Sequence, residues 1–113
     1  MDENQNENVD VEGAAVLIGQ GALLLDVRED DEWEAGHAPA ARHVALSSVP
    51  DVLDDLSTGQ TVICVCRSGA RSARAARFLR EHGVRALNLD GGMIGWHAAG
   101  AEMLSDTGDP HVA

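Results

Sequence analysis

Cys66 opens the run Cys66-Arg67-Ser68-Gly69-Ala70-Arg71-Ser72, a thiol followed by small residues and two guanidinium groups. The residues before it, Thr61-Val62-Ile63-Cys64-Val65, are apolar, uncharged and rich in β-branched side chains, the composition of a buried strand. Those after it place Ala75, Ala76 and Leu79 on one helical face and stop at Gly83. A thiol at the carboxyl end of a strand, just ahead of a helix, faces that helix's unpaired N–H groups and the positive end of its dipole. Ser68, Gly69 and Ala70 are small enough for the backbone to curl and aim successive N–H groups inward. In such surroundings a cysteine pKa falls to roughly 3.5–7.5. Cys66 is therefore read as a nucleophile, with Arg67, Ser68, Gly69, Ala70, Arg71 and Ser72 as an anion cradle around it. Cys64, mid-strand and without nearby donors, reads as core.

An anion cradle over a cysteine could serve phosphate as well as sulfur. Loop length separates the two. Cysteine phosphatases space their cysteine and arginine by five residues, which gives room for a tetrahedral phosphoryl group. Here four residues separate Cys66 from Arg71, so the bowl is smaller and better suited to one sulfur atom carried on the cysteine. A phosphatase or arsenate reductase is disfavoured on this ground.

The elements that must position the cradle follow from pattern. Ala14, Leu17 and Ile18 give a helix ending in glycine. Ala22 to Val27 is a short apolar run, a strand covered on both faces. Asp30 to Ala35 is a short helix, acidic in its first turn and stopped at Gly36. Ala41 to Leu46 is a second short strand. Ser47 to Gly59 reads as a helix with serine at its start and glycine at its end. Val84 to Asp90 is a last strand closing on Gly91-Gly92. Strand and helix alternate, which predicts an α/β fold: a three-layer open parallel sheet of four or five strands with helices on both faces. In such sheets the functional crevice lies at the carboxyl ends of the strands, where Cys66 stands.

Composition narrows the class. The chain has 113 residues, one domain's worth, with 19 acidic residues against 8 arginines and no lysine, for a net charge of −11. So acidic a chain is a poor partner for nucleic acid or an anionic membrane. No segment approaches the ~20 apolar residues of a membrane span. The amino terminus is acidic and polar, unlike a signal peptide, and two cysteines one residue apart make no useful staple. A cytoplasmic location is expected. Residues 1–8 are expected as a flexible acidic tail, 9–104 as the domain and 105–113 as a second tail. The histidines have no metal-ligand spacing, and neither metal nor organic cofactor is expected.

Three blocks carry a family resemblance. Cys66 to Ser72 resembles the active-site loop of the rhodanese (thiosulfate sulfurtransferase) family. Leu23 to Ala41, with Asp26-Val27-Arg28, Glu32-Trp33 and Gly36-His37, resembles its upstream signature. Leu89-Asp90-Gly91-Gly92 with Trp96 resembles its downstream one. They occur in the family's order, in a single-domain chain. The chain departs at Ala38 and Ala40, where the family carries isoleucine and glycine, positions of packing and turn. The resemblance implies transfer of a sulfane sulfur from a donor such as thiosulfate, through a Cys66 persulfide, to cyanide or a thiol. A persulfide carrier serving a sulfur-relay protein would use the same residues. It also implies supporting roles for Asp26, Arg28, Glu32 and His37, which brace neighbouring loops, and for Trp96, a core anchor near the rim of the site. Asp26, at another strand's carboxyl end, is expected to reach the cradle and orient an arginine there.

Five of the eight arginines fall between Arg67 and Arg80, a locally positive region in an acidic chain. Such a region steers anionic donors inward.

Overall fold

A computed structural model describes residues 7–113. Five strands form one parallel sheet in the order β1-β5-β4-β2-β3: β1 is Asn8–Val9, β2 Leu23–Asp26, β3 Ala41–His43, β4 Val62–Val65 and β5 Ala86–Leu89. The helices are α1 (Val11–Gly19), α2 (Asp30–Ala35), α3 (Leu53–Leu56), α4 (Ala70–Glu81) and α5 (Gly92–Ala98). The expected α/β architecture is therefore present with five strands. Of the tail expected over residues 1–8, residues 1–6 lie outside the described residues, and Asn8 already pairs with Asn88 in the sheet.

Strand β4 is buried at every residue, and its alternation feeds two cores. Val62 and Cys64 face one side with Leu25, Val27, Ala75, Ala76 and Leu79. Ile63 and Val65 face the other with Leu24, Leu89, Ala14, Met93 and Trp96. Each fully buried aliphatic side chain of this kind contributes about 1.5–3 kcal/mol of transfer free energy. Buried on both faces, β4 cannot shift register without moving its whole pattern to the wrong core. The carboxyl end of β4, and so Cys66, is thereby fixed. The sheet grows outward from the β2–β4 pair in opposite directions, so the crevice at that reversal lies beside the ends of β2 and β4.

Helix starts follow local chemistry. The Asp10 side chain accepts from the Gly13 N–H at 2.7 Å and caps α1. At α2 the Glu32 carboxylate accepts from the Glu29 N–H at 3.0 Å, half of a capping box. The helix expected over residues 47–59 is different. Leu46–Val52 is a 3-10 helix preceded by Ala45, with no side-chain cap, and only α3 is α-helical. Pro50 lies inside it and has no N–H to give, so the longer i→i−4 ladder is broken there. Serine closes the segment rather than opening it: Ser57 Oγ donates to the Leu53 carbonyl at 2.8 Å.

The end of the chain runs back over α2. Leu104 and His37 exchange backbone hydrogen bonds at 2.9 and 2.8 Å, the Asp106 N–H donates to the Glu34 carbonyl at 2.9 Å, and the His111 N–H donates to the Ala35 carbonyl at 3.1 Å. Gly36 sits under this crossing, where a Cβ would collide with the backbone of His111 and the Met103 side chain. The packing of residues 105–113 thus depends on side-chain volume 70 residues away, which no local pattern encodes. Among the described residues, no helix is long and apolar enough to cross a membrane.

Candidate active site

Cys66 follows β4, and the loop Arg67-Ser68-Gly69 delivers the chain into α4. Gly69 takes φ +122°, open to glycine and strained for any L side chain, and this turn points its own N–H back at the thiol. Sγ accepts from the Gly69 N–H at 3.1 Å and from Ser72 Oγ at 3.2 Å. The side chain is buried, as is Ser72. Burial pushes the Cys66 pKa up, but the Ser72 hydroxyl and the backbone N–H groups of Ser72, Gly69 and Ser68 outweigh it and leave the thiol below its ordinary value. Cys64 has burial without such donors, and desolvation pushes it up to about 12 despite Arg80, with Cys66 raising it further. Two thiols one residue apart are thus shifted in opposite directions, Cys64 within the strand and Cys66 just past its carboxyl end.

The back of the cradle is braced from β5. Gly92 has φ +57°, and a Cβ there would stand 2.5 Å from the carbonyl oxygens of Cys66 and Arg67. That approach lets the Met93 and Ile94 N–H groups, at the start of α5, donate to those two carbonyls at 2.8 and 3.1 Å. The paired glycines closing β5 therefore hold the loop's carbonyls outward while its N–H groups face the sulfur.

Arg71 points to Glu32. Nη1 and Nη2 donate to the two carboxylate oxygens at 2.7 and 2.8 Å, a bidentate fork between α4 and α2. Arg71 holds the Glu32 carboxyl down to about 2, against an opposing effect of burial and with help from the Glu29 N–H; Arg71 is raised in return. The charge on this arginine is thus largely matched by Glu32. A carboxyl whose folded pKa lies below its ordinary 4.5 contributes stability that is full above about that pH and fades as pH falls through about 2. Glu32→Gln should cost about 2 kcal/mol at neutral pH, discounted for the solvent-facing side of the pair, and much less near pH 3. Urea unfolding at the two pH values measures this, and a cost that is equal at both counts against the pair.

Asp26 does not reach the cradle, contrary to expectation. Its carboxylate accepts from Arg28 Nε at 3.0 Å and Nη2 at 2.8 Å, with both side chains wholly buried. Arg28 Nη2 also donates to the Gly36 carbonyl at 2.7 Å, and the Arg28 carbonyl accepts from His43 Nε2 at 2.7 Å. The short spacing of two residues makes this pair local, so the arginine that Asp26 orients is Arg28. The pair ties the ends of β2, α2 and β3. His37 is held in the same knot: its Nδ1 donates to the Trp33 carbonyl at 2.7 Å, and Trp33 stacks on His37 and His43 at centroid distances of 3.8 and 4.8 Å. Among the described residues, Cys66 Sγ is hydrogen-bonded to Gly69 and Ser72 and to no histidine.

Trp96, expected as a core anchor, is buried. It packs in the opposite core with Met93 and Leu89, and its Nε1 donates to the Glu102 carbonyl at 2.9 Å. It anchors α5, and through α5 the back of the loop. Arg67 is exposed and its Nε donates to the Ala113 carbonyl at 3.0 Å. Arg80 is tied to Glu7 and to the Ala86 carbonyl.

One residue of the site is not among those singled out from sequence. Asn88, buried on β5 in register with Cys64, places Oδ1 2.6 Å from Ser72 Oγ. A polar side chain within the otherwise apolar strand Ala86-Leu87-Asn88-Leu89 is the signal that could have found it.

A rhodanese-like domain model matches residues 10–99. A putative sulfurtransferase of Bacillus subtilis, YtwF, is 37% identical over 73 residues, covering 65% of this chain and 71% of that protein. A sulfurtransferase of Allochromatium vinosum is 33% identical over 90 residues, covering 79% of this chain and 84% of that one. Among solved structures, the BH2092 protein of Bacillus halodurans superimposes with a TM-score of 0.83 at 21% identity, covering 98% of this chain and 88% of that one, which is a likeness of fold. With a family model matched over residues 10–99 and relatives named as sulfurtransferases at 33–37% identity, this chain belongs to the family of rhodanese-like domains.

Proposed function

We propose that this protein moves a sulfane sulfur from an anionic donor such as thiosulfate to a thiophilic acceptor, cyanide or a thiol. The Cys66 thiolate attacks the outer sulfur of the donor. A sulfur–sulfur bond forms on Cys66 as the donor's own sulfur–sulfur bond breaks, and sulfite leaves with the electron pair. The acceptor then attacks the terminal sulfur, and the Cys66 thiolate departs. Each stage places negative charge on sulfur at one spot. The observation that carries the reading is the convergence of the Gly69 N–H and the Ser72 hydroxyl on Cys66 Sγ, donors already within hydrogen-bond reach of the sulfur where charge arrives. The relatives named as sulfurtransferases support it. Arg67 supplies the exposed positive charge for the sulfite part of the donor, with Arg71 more weakly because Glu32 already holds it.

Treatment with thiosulfate followed by intact-mass and fragment analysis should show one added sulfur, on Cys66 and not on Cys64. Addition on neither cysteine would sink the reading.

A persulfide carrier for a protein partner is a second reading. A groove of about 510 Å³ between the 3-10 segment and α4 favours it, since apolar Leu46, Pro50 and Phe78 share its lining with Arg71 of the cradle. Such a carrier would take up sulfur readily yet turn over thiosulfate and cyanide negligibly until its partner is added.

A further inference from the structure

Ser72 Oγ has one proton and three acceptors around it: Cys66 Sγ at 3.2 Å, Asn88 Oδ1 at 2.6 Å and the Gly69 carbonyl at 3.3 Å. The proton can satisfy one of them. While Cys66 is a thiol the chain closes well: the S–H donates to Ser72 Oγ, and Ser72 donates to Asn88 Oδ1. Once the sulfur loses its proton it can only accept, as can the Gly69 carbonyl. The Ser72 hydroxyl must then turn to the sulfur, and its former acceptor is left facing a lone pair at 2.6 Å. Among the groups hydrogen-bonded to Ser72, only the Asn88 side chain carries both a donor and an acceptor. Half a turn of its amide exchanges them without moving the strand. Its Nδ2 lies 3.4 Å from Asn8 Oδ1, so the neighbouring amide on β1 offers the same exchange on the far side.

We propose that Asn88 is a positioning residue that follows the protonation of Cys66: its amide turns over as the sulfur ionises, so that Nδ2 donates to Ser72 Oγ and the Ser72 hydroxyl is held on the thiolate. The result is a three-member relay, Asn88 to Ser72 to Cys66, running from β5 through the first turn of α4 to the end of β4. It rests on the reading of Cys66 as an ionising nucleophile. The other charged and titratable groups around the sulfur are Arg67 in the loop, Arg71 on α4 with Glu32 of α2 on it, Cys64 on β4 near Arg80, and the Asp26–Arg28 pair at the end of β2. Among the described residues, none of these makes a side-chain hydrogen bond to Ser72 or Asn88. The relay is therefore separable from them by substitution.

The test uses the full chain and no sulfur donor. The pH dependence of iodoacetamide alkylation, located to Cys66 by fragmentation, gives the ionisation midpoint. Asn88→Leu, similar in size and unable to donate or accept, should raise that midpoint by about one pH unit, a tenfold smaller thiolate fraction at a fixed lower pH. An unmoved midpoint overturns the relay. A lowered one does so too, since it would mean that Asn88 merely competes for the Ser72 proton. In a Ser72→Ala background Asn88→Leu should add nothing, and an additive shift overturns the route through Ser72. Should Asn88→Leu fold poorly, the wild-type protein still decides: the Asn88 side-chain amide protons, followed by NMR in ¹⁵N-labelled protein, should shift with the midpoint of Cys66. Their indifference to that titration overturns the proposal. A wild-type Cys66 that fails to ionise below about pH 8.5, the value for a free thiol, would remove the nucleophile reading itself, a result distinct from an unmoved variant.

Discussion

Cys66→Ser should fold as the wild type does and transfer no sulfur. The serine hydroxyl is smaller than the thiol and can still accept from the Gly69 N–H and Ser72, so the donors around position 66 keep a partner. Its stability should stay within about 1 kcal/mol of wild type. Its chemistry is lost for two reasons. A hydroxyl stays protonated in a cradle whose donors lower a thiol's pKa only by outweighing its burial. An alkoxide, even if formed, makes no stable bond to the sulfur of a donor. Removing the nucleophile of a double-displacement enzyme typically costs at least about 10³-fold in kcat. Thiosulfate:cyanide turnover, corrected for the uncatalysed rate, measures it. A variant retaining a tenth of wild-type turnover would show that sulfur is transferred without Cys66. Ser72→Ala should fall between Cys66→Ser and the wild type, because the Gly69 N–H still donates to Sγ.

Asp26→Ala should be the most destabilising single change at the carboxyl ends of the strands. It strands Arg28, wholly buried, with a guanidinium whose Nη1 already has no partner among the described residues. Removing one member of a buried ion pair costs about 3–5 kcal/mol, because the remaining charge must stay desolvated or break out to water. A domain of this size has only about 5–15 kcal/mol in hand. Thermal unfolding should therefore fall by about 12–40 °C, at 4–8 °C for each kcal/mol. The double change Asp26→Leu with Arg28→Met removes both charges and should recover a large part of the loss. A single-variant cost below about 1 kcal/mol would show that water reaches Arg28 and that the pair does not brace the ends of β2, α2 and β3. The same loss should appear in activity only through folding, since neither side chain touches the cradle.

The two predictions separate the site into parts with different origins in the chain. The cradle is a local object. Cys66, Gly69 and Ser72 lie within seven residues, and their meeting follows from strand, turn and helix in succession, each with its own pattern. The positive φ of Gly69 and the free N–H groups of a helix's first turn are properties of short segments. For that reason the donors around Cys66 and the parallel α/β layout were legible in the sequence. The short helix over residues 30–35 was legible from the acids of its first turn, and the one expected over residues 47–59 was not, because Pro50 removes a backbone donor from an otherwise helical pattern.

What tertiary structure alone decided is which distant groups meet the cradle. Glu32 and Asp26 are both acids in the same stretch, and nothing in their spacing says which one finds an arginine of the loop. The choice follows from the crossover that lays α2 beside α4, so that Glu32 takes Arg71 while Asp26 turns back on Arg28. Asn88 was missed because its partner lies 16 residues away across the β5–α4 contact. Sequence by itself determined that the Cys66 thiol stands at a strand end and which donors its own turn brings to it, since those interactions lie close along the chain. Only the packed sheet determined who supports them, because hydrogen bonds between elements depend on register and crossing geometry, which the whole core sets at once.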